Sequence, residues 1–388
     1  MAEPAPATMR PAMAVEDTGN EGIDRRTAWR MVGLPLLASK VLSLAVALVT
    51  ASFVRADSVP FWSAARTAFV HWDAIHYLDI ARRGYAGSLD FHQAFLPGFP
   101  ALTAAVTVLT RDDVVAALLL NLAAESVALY YIARLVMAER DAAAARFAVW
   151  CVALGPIAFF LSAVYPESLL IAAAAAALYH SRRGNHLAAA LAAALACSIR
   201  LTGLALVPAL LFEYLRQRRG RLKPDVIAIL AAPLPLILYA AYLQVHAGDW
   251  LAFLHAQSLP EFNHHLSWPW NGFMVTWDTL VAADGEVQSV FLREVGFAFL
   301  GLAACGVAWW WPRFPRMLAL YCTLIWLMAT SLSFWRSVPR YDLALFPIVL
   351  VLADATRASP RLRPALLGAA ATIMAWGSWT FARGHWLG

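Results

Sequence analysis

MVGLPLLASKVLSLAVALVTASFV, residues 31–54, decides the fold class. It holds one ionisable side chain, Lys40, and is longer than the roughly 20 apolar residues a helix needs to cross a hydrocarbon core about 30 Å thick. Residues 114–137, 226–246 and 290–311 read the same way. The chain as a whole is 61% hydrophobic and 14% charged, with mean hydropathy +0.61; soluble domains carry about 25% charged residues. These features exclude a soluble fold and predict an all-α, polytopic transmembrane helical bundle.

Charge then orients the segments. Of the 30 basic residues only Lys40 and Lys223 are lysines, and the arginines gather in short turns between apolar runs. They read as positive-inside markers and headgroup anchors, with no nucleic-acid partner. The arginine preference and the alanine runs at 172–177 and 188–194 are what a GC-rich bacterial genome encodes. The turns Arg25–Arg30, Arg134–Arg146, Arg182–Arg183, Arg216–Lys223, Arg313–Arg316 and Arg357–Arg363 are assigned to the cytoplasm. Outside fall the loop 55–93, the Tyr165-Pro166-Glu167 turn, the surroundings of Arg200, the loop 248–288, and Trp335–Arg340.

Alternation along the chain gives about eleven full crossings. Residues 94–110, carrying Pro97 and Pro100, then form a re-entrant or bent element, which the membrane tolerates where protein covers it. Residues 1–30, rich in Ala, Pro and charge, are expected to be a disordered cytoplasmic tail, and 31–388 a single transmembrane domain. The first apolar run is too long for a signal-peptide core, so it reads as an uncleaved anchor. Cys151, Cys197, Cys305 and Cys322 lie in apolar segments without metal-ligand spacing and read as small hydrophobes.

Four polar constellations stand out. On a helix, Asp73, His76, Tyr77 and Ile80 share a face, with Gly84 as its stop. A carboxylate beside His and Tyr at a membrane surface suits deprotonation of a hydroxyl; a solvated amphipathic helix gives the same pattern. Pro97 and Pro100 force a bent entry into the bilayer. Glu167, after Pro166, opens a helix, either as a carboxylate favoured by the helix dipole or as a hydrogen-bonding group for a polar substrate. Arg200, Arg336 and Arg340 sit on the outer side, against the usual bias. Pairing with Asp342 or Glu167 explains them, and so does binding a lipid-linked phosphate, which guanidinium geometry fits. Lys40, Asn121 and Glu125 are polar groups inside apolar segments; Asn121 and Glu125 are read as structural.

Trp72-Asp73-Ala74 with Gly84-Tyr85, then Ala94-Phe95-Leu96-Pro97 with Pro100, resembles the first outer loop of the GPI mannosyltransferase 2 (PIG-V) family. Ala163–Ser168 resembles that family's Pro-Tyr-x-Glu-Ser turn, with the Tyr-Pro order rearranged. Ser198–Gly203 resembles its Arg-Ser/Thr-x-Gly element. The resemblance covers roughly residues 31–355.

It implies a GT-C-type glycosyltransferase: an inverting enzyme that takes mannose from a polyprenyl monophosphate carrier and works on the outer face. Asp73 would be the base, His76 or Tyr77 would position it or the acceptor, and Glu167 would hold sugar hydroxyls. Arg200, Arg336 and Arg340 would stabilise the departing phosphate. Many GT-C enzymes carry two acids close together in this loop; here Asp79 follows six residues on, and its role is open. The implied partners are the polyprenyl-phosphate-sugar donor, a lipid- or glycan-linked acceptor, the membrane itself, and room for a small membrane partner subunit; no metal is required. The expected location is the plasma membrane, with a cytoplasmic N-terminus and an extracytoplasmic site. A transporter or lipid-linked-sugar flippase is the alternative reading, and a structural subunit of an envelope complex a third.

Overall fold

The structure, a computed structural model, describes residues 18–54 and 60–387. Residues 1–17 of the expected tail, 55–59 at the head of the expected first outer loop, and 388 lie outside the described residues. The described chain is helical almost throughout. Among its residues the only β-pairing is an isolated antiparallel bridge between Leu266 and Leu332.

Among the described residues, four helices are long and apolar enough to cross a membrane: Arg25–Phe53, Asp113–Glu139, Gly285–Trp310 and Leu362–Ala382. The first belongs to a helix that begins at Thr18. Residues 18–30 therefore continue it, where a disordered tail was expected. The expected span at 226–246 is broken into Val226–Leu230 and Leu234–Ala247, because Pro233 and Pro235 supply no N–H to a continuing helix. The segment expected to be bent is a 3-10 turn, Phe91–Ala94, followed by the 13-residue helix Gly98–Thr110. At 1.5 Å per residue that helix is about 20 Å long, short of a full crossing. Polar caps set several starts: Asp112 accepts from Val115 N–H at 3.0 Å, and Asp141 from Ala144 N–H at 2.8 Å.

The centre of the bundle is Glu167–Arg182, buried along its length except at His180 and Arg182. Its alanines, 172–177, let it lie between Asp113–Glu139 and His186–Ile199, since small side chains allow backbones to approach where hydrocarbon supplies no drive for association. Glycine serves the same end at the start of Gly98–Thr110. A Cβ on Gly98 would lie 2.4 Å from Ser198 Oγ and 2.7 Å from its carbonyl oxygen.

The intramembrane polar groups hold the stretch that leads into this central helix. Lys40 pairs with the fully buried Glu125, and its ammonium also donates to Ser162 Oγ at 2.8 Å and Leu161 O at 3.2 Å. Asn121 Nδ2 donates to the carbonyls of Ala163 (2.6 Å) and Tyr165 (2.9 Å). A charge in this environment is tolerated only when paired, so these contacts fix the turn that delivers Glu167.

Candidate active site

Asp73 opens the helix Asp73–Arg83, entered through Trp72 at φ 55°, ψ −122°. Only glycine adopts that conformation without strain, and such strain persists where surrounding structure enforces it. Arg340 lies on the short helix Val338–Asp342, entered through Ser337 at φ 68°. Glu294, 1% exposed, accepts from the backbone N–H groups of Ser337 and Val338 at 2.8 Å each, and so fixes that entry.

These two helices bring a pair together. Arg340 Nη1 donates to Asp73 Oδ2 at 2.6 Å, and Arg340 Nε lies 3.5 Å from Glu167 Oε1. Glu167 is also in direct contact with Arg200 Nη1. Arg200 follows the helix His186–Ile199 in an extended conformation and lies over the Tyr341 ring at 4.6 Å. The guanidinium of Arg340 lies 5.2 Å from the Tyr165 ring centroid, and Tyr165 OH donates to His71 O at 3.0 Å. The result is a continuous run of charge, Asp73–Arg340–Glu167–Arg200, drawn from four separate elements.

Two carboxylates thus meet two guanidiniums. Arg336 is different: it lies over the Trp386 ring at 4.8 Å and makes no ion pair among the described residues. Of the three arginines it alone has no ion-paired carboxylate, though the charges of Asp73 and Glu294 reach it. Asp73 sits outside the spanning segments. Burial alone would raise its pKa, but the charge and hydrogen bond of Arg340, with the charges of Arg200 and His76, outweigh that and hold it below the ordinary carboxylate value.

A cavity of about 520 Å³ opens beside this network, within the range of small-molecule sites. Asp73, Tyr77, Arg200, Arg336, Arg340 and His264 form its polar wall; Phe95, Leu96, Phe262, Leu327, Met328 and Leu332 form its apolar one. A polar head joined to a hydrocarbon tail fits such a division.

Five of the seven residues singled out from sequence line this cavity: Asp73, Tyr77, Arg200, Arg336 and Arg340. Glu167 does not. It lies behind the wall, 2% exposed, between the two arginines. His76 also faces elsewhere, against Phe91, His92 and Phe95, where burial outweighs the nearby Asp73 charge and lowers its pKa. Asp79 pairs with Arg83 at 3.3 Å on the exposed side of its helix. Asp342, one offered partner for the outer arginines, pairs with none of them. Among the described residues, no three histidine, cysteine or carboxylate side chains converge so as to hold a metal ion.

Sequence reasoning passed over Glu294, His264 and Trp386. Glu294 carried a usable signal, an ionisable group inside a predicted span. His264 and Trp386 carried none, because loop polarity is ordinary.

Comparison with known proteins adds to this geometry. The family described as mannosyltransferase (PIG-V) matches residues 28–222. A mouse (Mus musculus) protein, GPI alpha-1,6-mannosyltransferase 2, is 31% identical over 201 residues, 45% of this chain and 40% of the relative. The match thus spans less than half of that protein's length. Among solved structures, ArnT from Cupriavidus metallidurans, bound to undecaprenyl phosphate, superposes with a TM-score of 0.50 at 17% identity, over 89% of this chain and 62% of that one. At that identity the likeness shows the fold, which is the GT-C kind expected.

Proposed function

This chain belongs to the mannosyltransferase (PIG-V) family, and on that premise we propose that it is an integral membrane mannosyltransferase using a polyprenyl monophosphate sugar. The acceptor is a hydroxyl of a lipid- or envelope-linked molecule. The observation that carries this reading is the cavity wall itself, where a half-buried carboxylate with a lowered pKa stands beside a guanidinium that makes no ion pair.

The phosphodiester of the donor bears one negative charge, and Arg336 offers one unpaired positive charge. Phosphate at Arg336 also competes with Asp73 for Arg340, and loosening that pair raises the basicity of Asp73 as the donor binds. Asp73 then takes the proton of the acceptor hydroxyl while the acceptor oxygen bonds to the anomeric carbon. The bond from that carbon to the phosphate oxygen breaks, its electron pair leaves on the phosphate, and the guanidiniums stabilise the charge that develops there. Attack opposite the leaving group inverts the centre, so a β-linked donor gives an α-mannoside. Glu167 holds Arg200 and Arg340 in place rather than touching sugar.

The extracytoplasmic assignment is supported by the central helix. Glu167 is at the site and Arg182 is at the other end of the helix, about 22 Å away along its axis. There Arg182 meets Glu139 (2.6 Å) and Glu213 (2.8 Å), among the arginine-rich turns that the positive-inside bias assigns to the cytoplasm.

The test is reconstitution into liposomes with labelled polyprenyl-phosphate-mannose and a lipid-linked hydroxyl acceptor. A new glycosidic bond is expected. Label that crosses the bilayer with no bond formed would make the protein a flippase instead.

A further inference from the structure

Four buried side-chain atoms in the cavity wall have no hydrogen-bond partner: Arg340 Nε, Trp386 Nε1, Thr202 Oγ1 and His264 Nε2. A buried polar atom left unpaired is costly, and its retention in a cavity wall is explained when a ligand completes it. The four differ in kind. Arg340 Nε and Trp386 Nε1 only donate; the first has Glu167 Oε1 at 3.5 Å as an ion-pair partner, the second has none, and the Trp386 ring lies under Arg336. That end of the wall suits an acceptor-only anion such as the phosphate.

His264 does not suit an anion. It is 7% exposed, and burial, followed by the charge of Arg336, pulls its pKa down to about 4, so the ring is neutral. A neutral imidazole Nε2 either donates or accepts according to tautomer, and a hydroxyl complements it in both cases. The ring is also held in place. Its face meets Phe334 edge-on with centroids 4.3 Å apart, and His264 N–H donates to Gln257 O at 2.7 Å. Ser258 Oγ donates to His264 O at 3.1 Å. The strand-like pairing of Leu266 with Leu332, together with Ser333 N–H to His265 O at 2.9 Å, ties this loop to the segment that carries Arg336. One rigid edge therefore presents a guanidinium for an anion and a neutral group for a hydroxyl.

A sugar phosphate carries both of those functions a few bonds apart. Resting on the glycosyl-transfer reading above, we propose that His264 Nε2 hydrogen-bonds a hydroxyl of the transferred sugar and so selects which sugar the donor brings.

The experiment uses the full-length protein in liposomes with polyprenyl-phosphate-mannose and its monodeoxy analogues. For wild type, one deoxy donor should lose about ten-fold in kcat/KM, the effect of one unmade hydrogen bond at a buried polar atom. His264→Ala should lose a similar factor on the parent donor and nothing further on that analogue, while His264→Gln restores most of the parent rate. An equal loss by His264→Ala on every donor, or no loss, overturns the proposal. Should His264→Ala fail to fold, the wild-type panel and His264→Gln still decide: no deoxy donor discriminated by wild type, or a discrimination that His264→Gln leaves unchanged while parent activity falls, is equally fatal. Absence of any glycosidic product from wild type defeats the transfer reading instead, and is seen before any analogue is tried.

Discussion

Asp73 Oδ2 accepts a 2.6 Å hydrogen bond from Arg340 Nη1 across 267 positions of sequence. The pair joins the loop after the first long helix to a five-residue helix near the far end of the chain, and both helices are entered from positive-φ residues, Trp72 and Ser337. In the proposed reaction it places the base under the control of the same guanidinium that a donor phosphate would seek.

Asp73→Asn should abolish most transfer. Removing a general base lowers the rate by about 10²–10⁴; the isosteric amide still accepts from Arg340, which keeps Glu167, so the protein should fold with a melting temperature lowered by the loss of the charge pair. Full activity in this variant would sink the assignment.

The acid limb of the pH profile should follow Arg340. With its pKa below the ordinary value, Asp73 stays ionised through mildly acid pH. The stability this pair contributes is present above the unfolded value, near 3.9, and is lost as pH falls through the folded one. In Arg340→Gln the largest lowering charge and its hydrogen bond are gone, and burial is opposed only by the charges of Arg200 and His76. The acid limb of kcat/KM should then move to higher pH, and an unmoved limb would show that Asp73 is not the titrating base.

Arg336 and Arg200 should separate binding from folding. Arg336→Gln breaks no ion pair, so it should raise the donor KM about ten-fold or more, the worth of a charge-assisted hydrogen bond, with the melting temperature preserved. Arg200→Gln removes a direct partner of the buried Glu167. Breaking a buried pair costs about 3–5 kcal/mol, so this variant should melt earlier whether or not donor is present. Arg340, paired with Asp73 and Glu167, belongs with Arg200 in this respect.

Lys40→Met should destabilise by a similar amount, about 3–5 kcal/mol, because it leaves the Glu125 carboxylate buried without its cation. Adding Glu125→Gln should recover much of the loss, read as melting temperature. Independent, additive losses would show that the two side chains are not coupled.

Gly203→Ala tests close packing behind the site. Its Cβ would lie 2.4 Å from the carbonyl carbon of Ala196, so backbone must move, at a cost of about 1–3 kcal/mol. Gly306→Ala, with nothing within 4 Å, is the control and should be neutral or slightly stabilising. Equal melting temperatures for the two would contradict the packing described.

Much of the site's location was legible. Hydropathy and arginine placement put Asp73, Glu167, Arg200 and Arg340 on one face, since both act segment by segment. His76 illustrates the limit. It shares a helix face with Asp73 by spacing, yet its ring turns to Phe91, His92 and Phe95, because the loop after the helix folds back over it. Glu167 shows the same limit from the other side: its position at a helix start was readable, but not that two arginines enclose it.

From the sequence alone follow a membrane-embedded helical protein, the resemblance to PIG-V mannosyltransferases, and the short list of charged residues worth asking about. Each is a property of residues near one another in the chain, such as apolar run length, turn charge or motif spacing. Only the tertiary structure decided which of the three arginines makes no ion pair, that Glu294 braces the helix of Arg340, and that His264 borders the same cavity. Ion pairing and burial depend on contacts between residues far apart in the chain, and no local period encodes them.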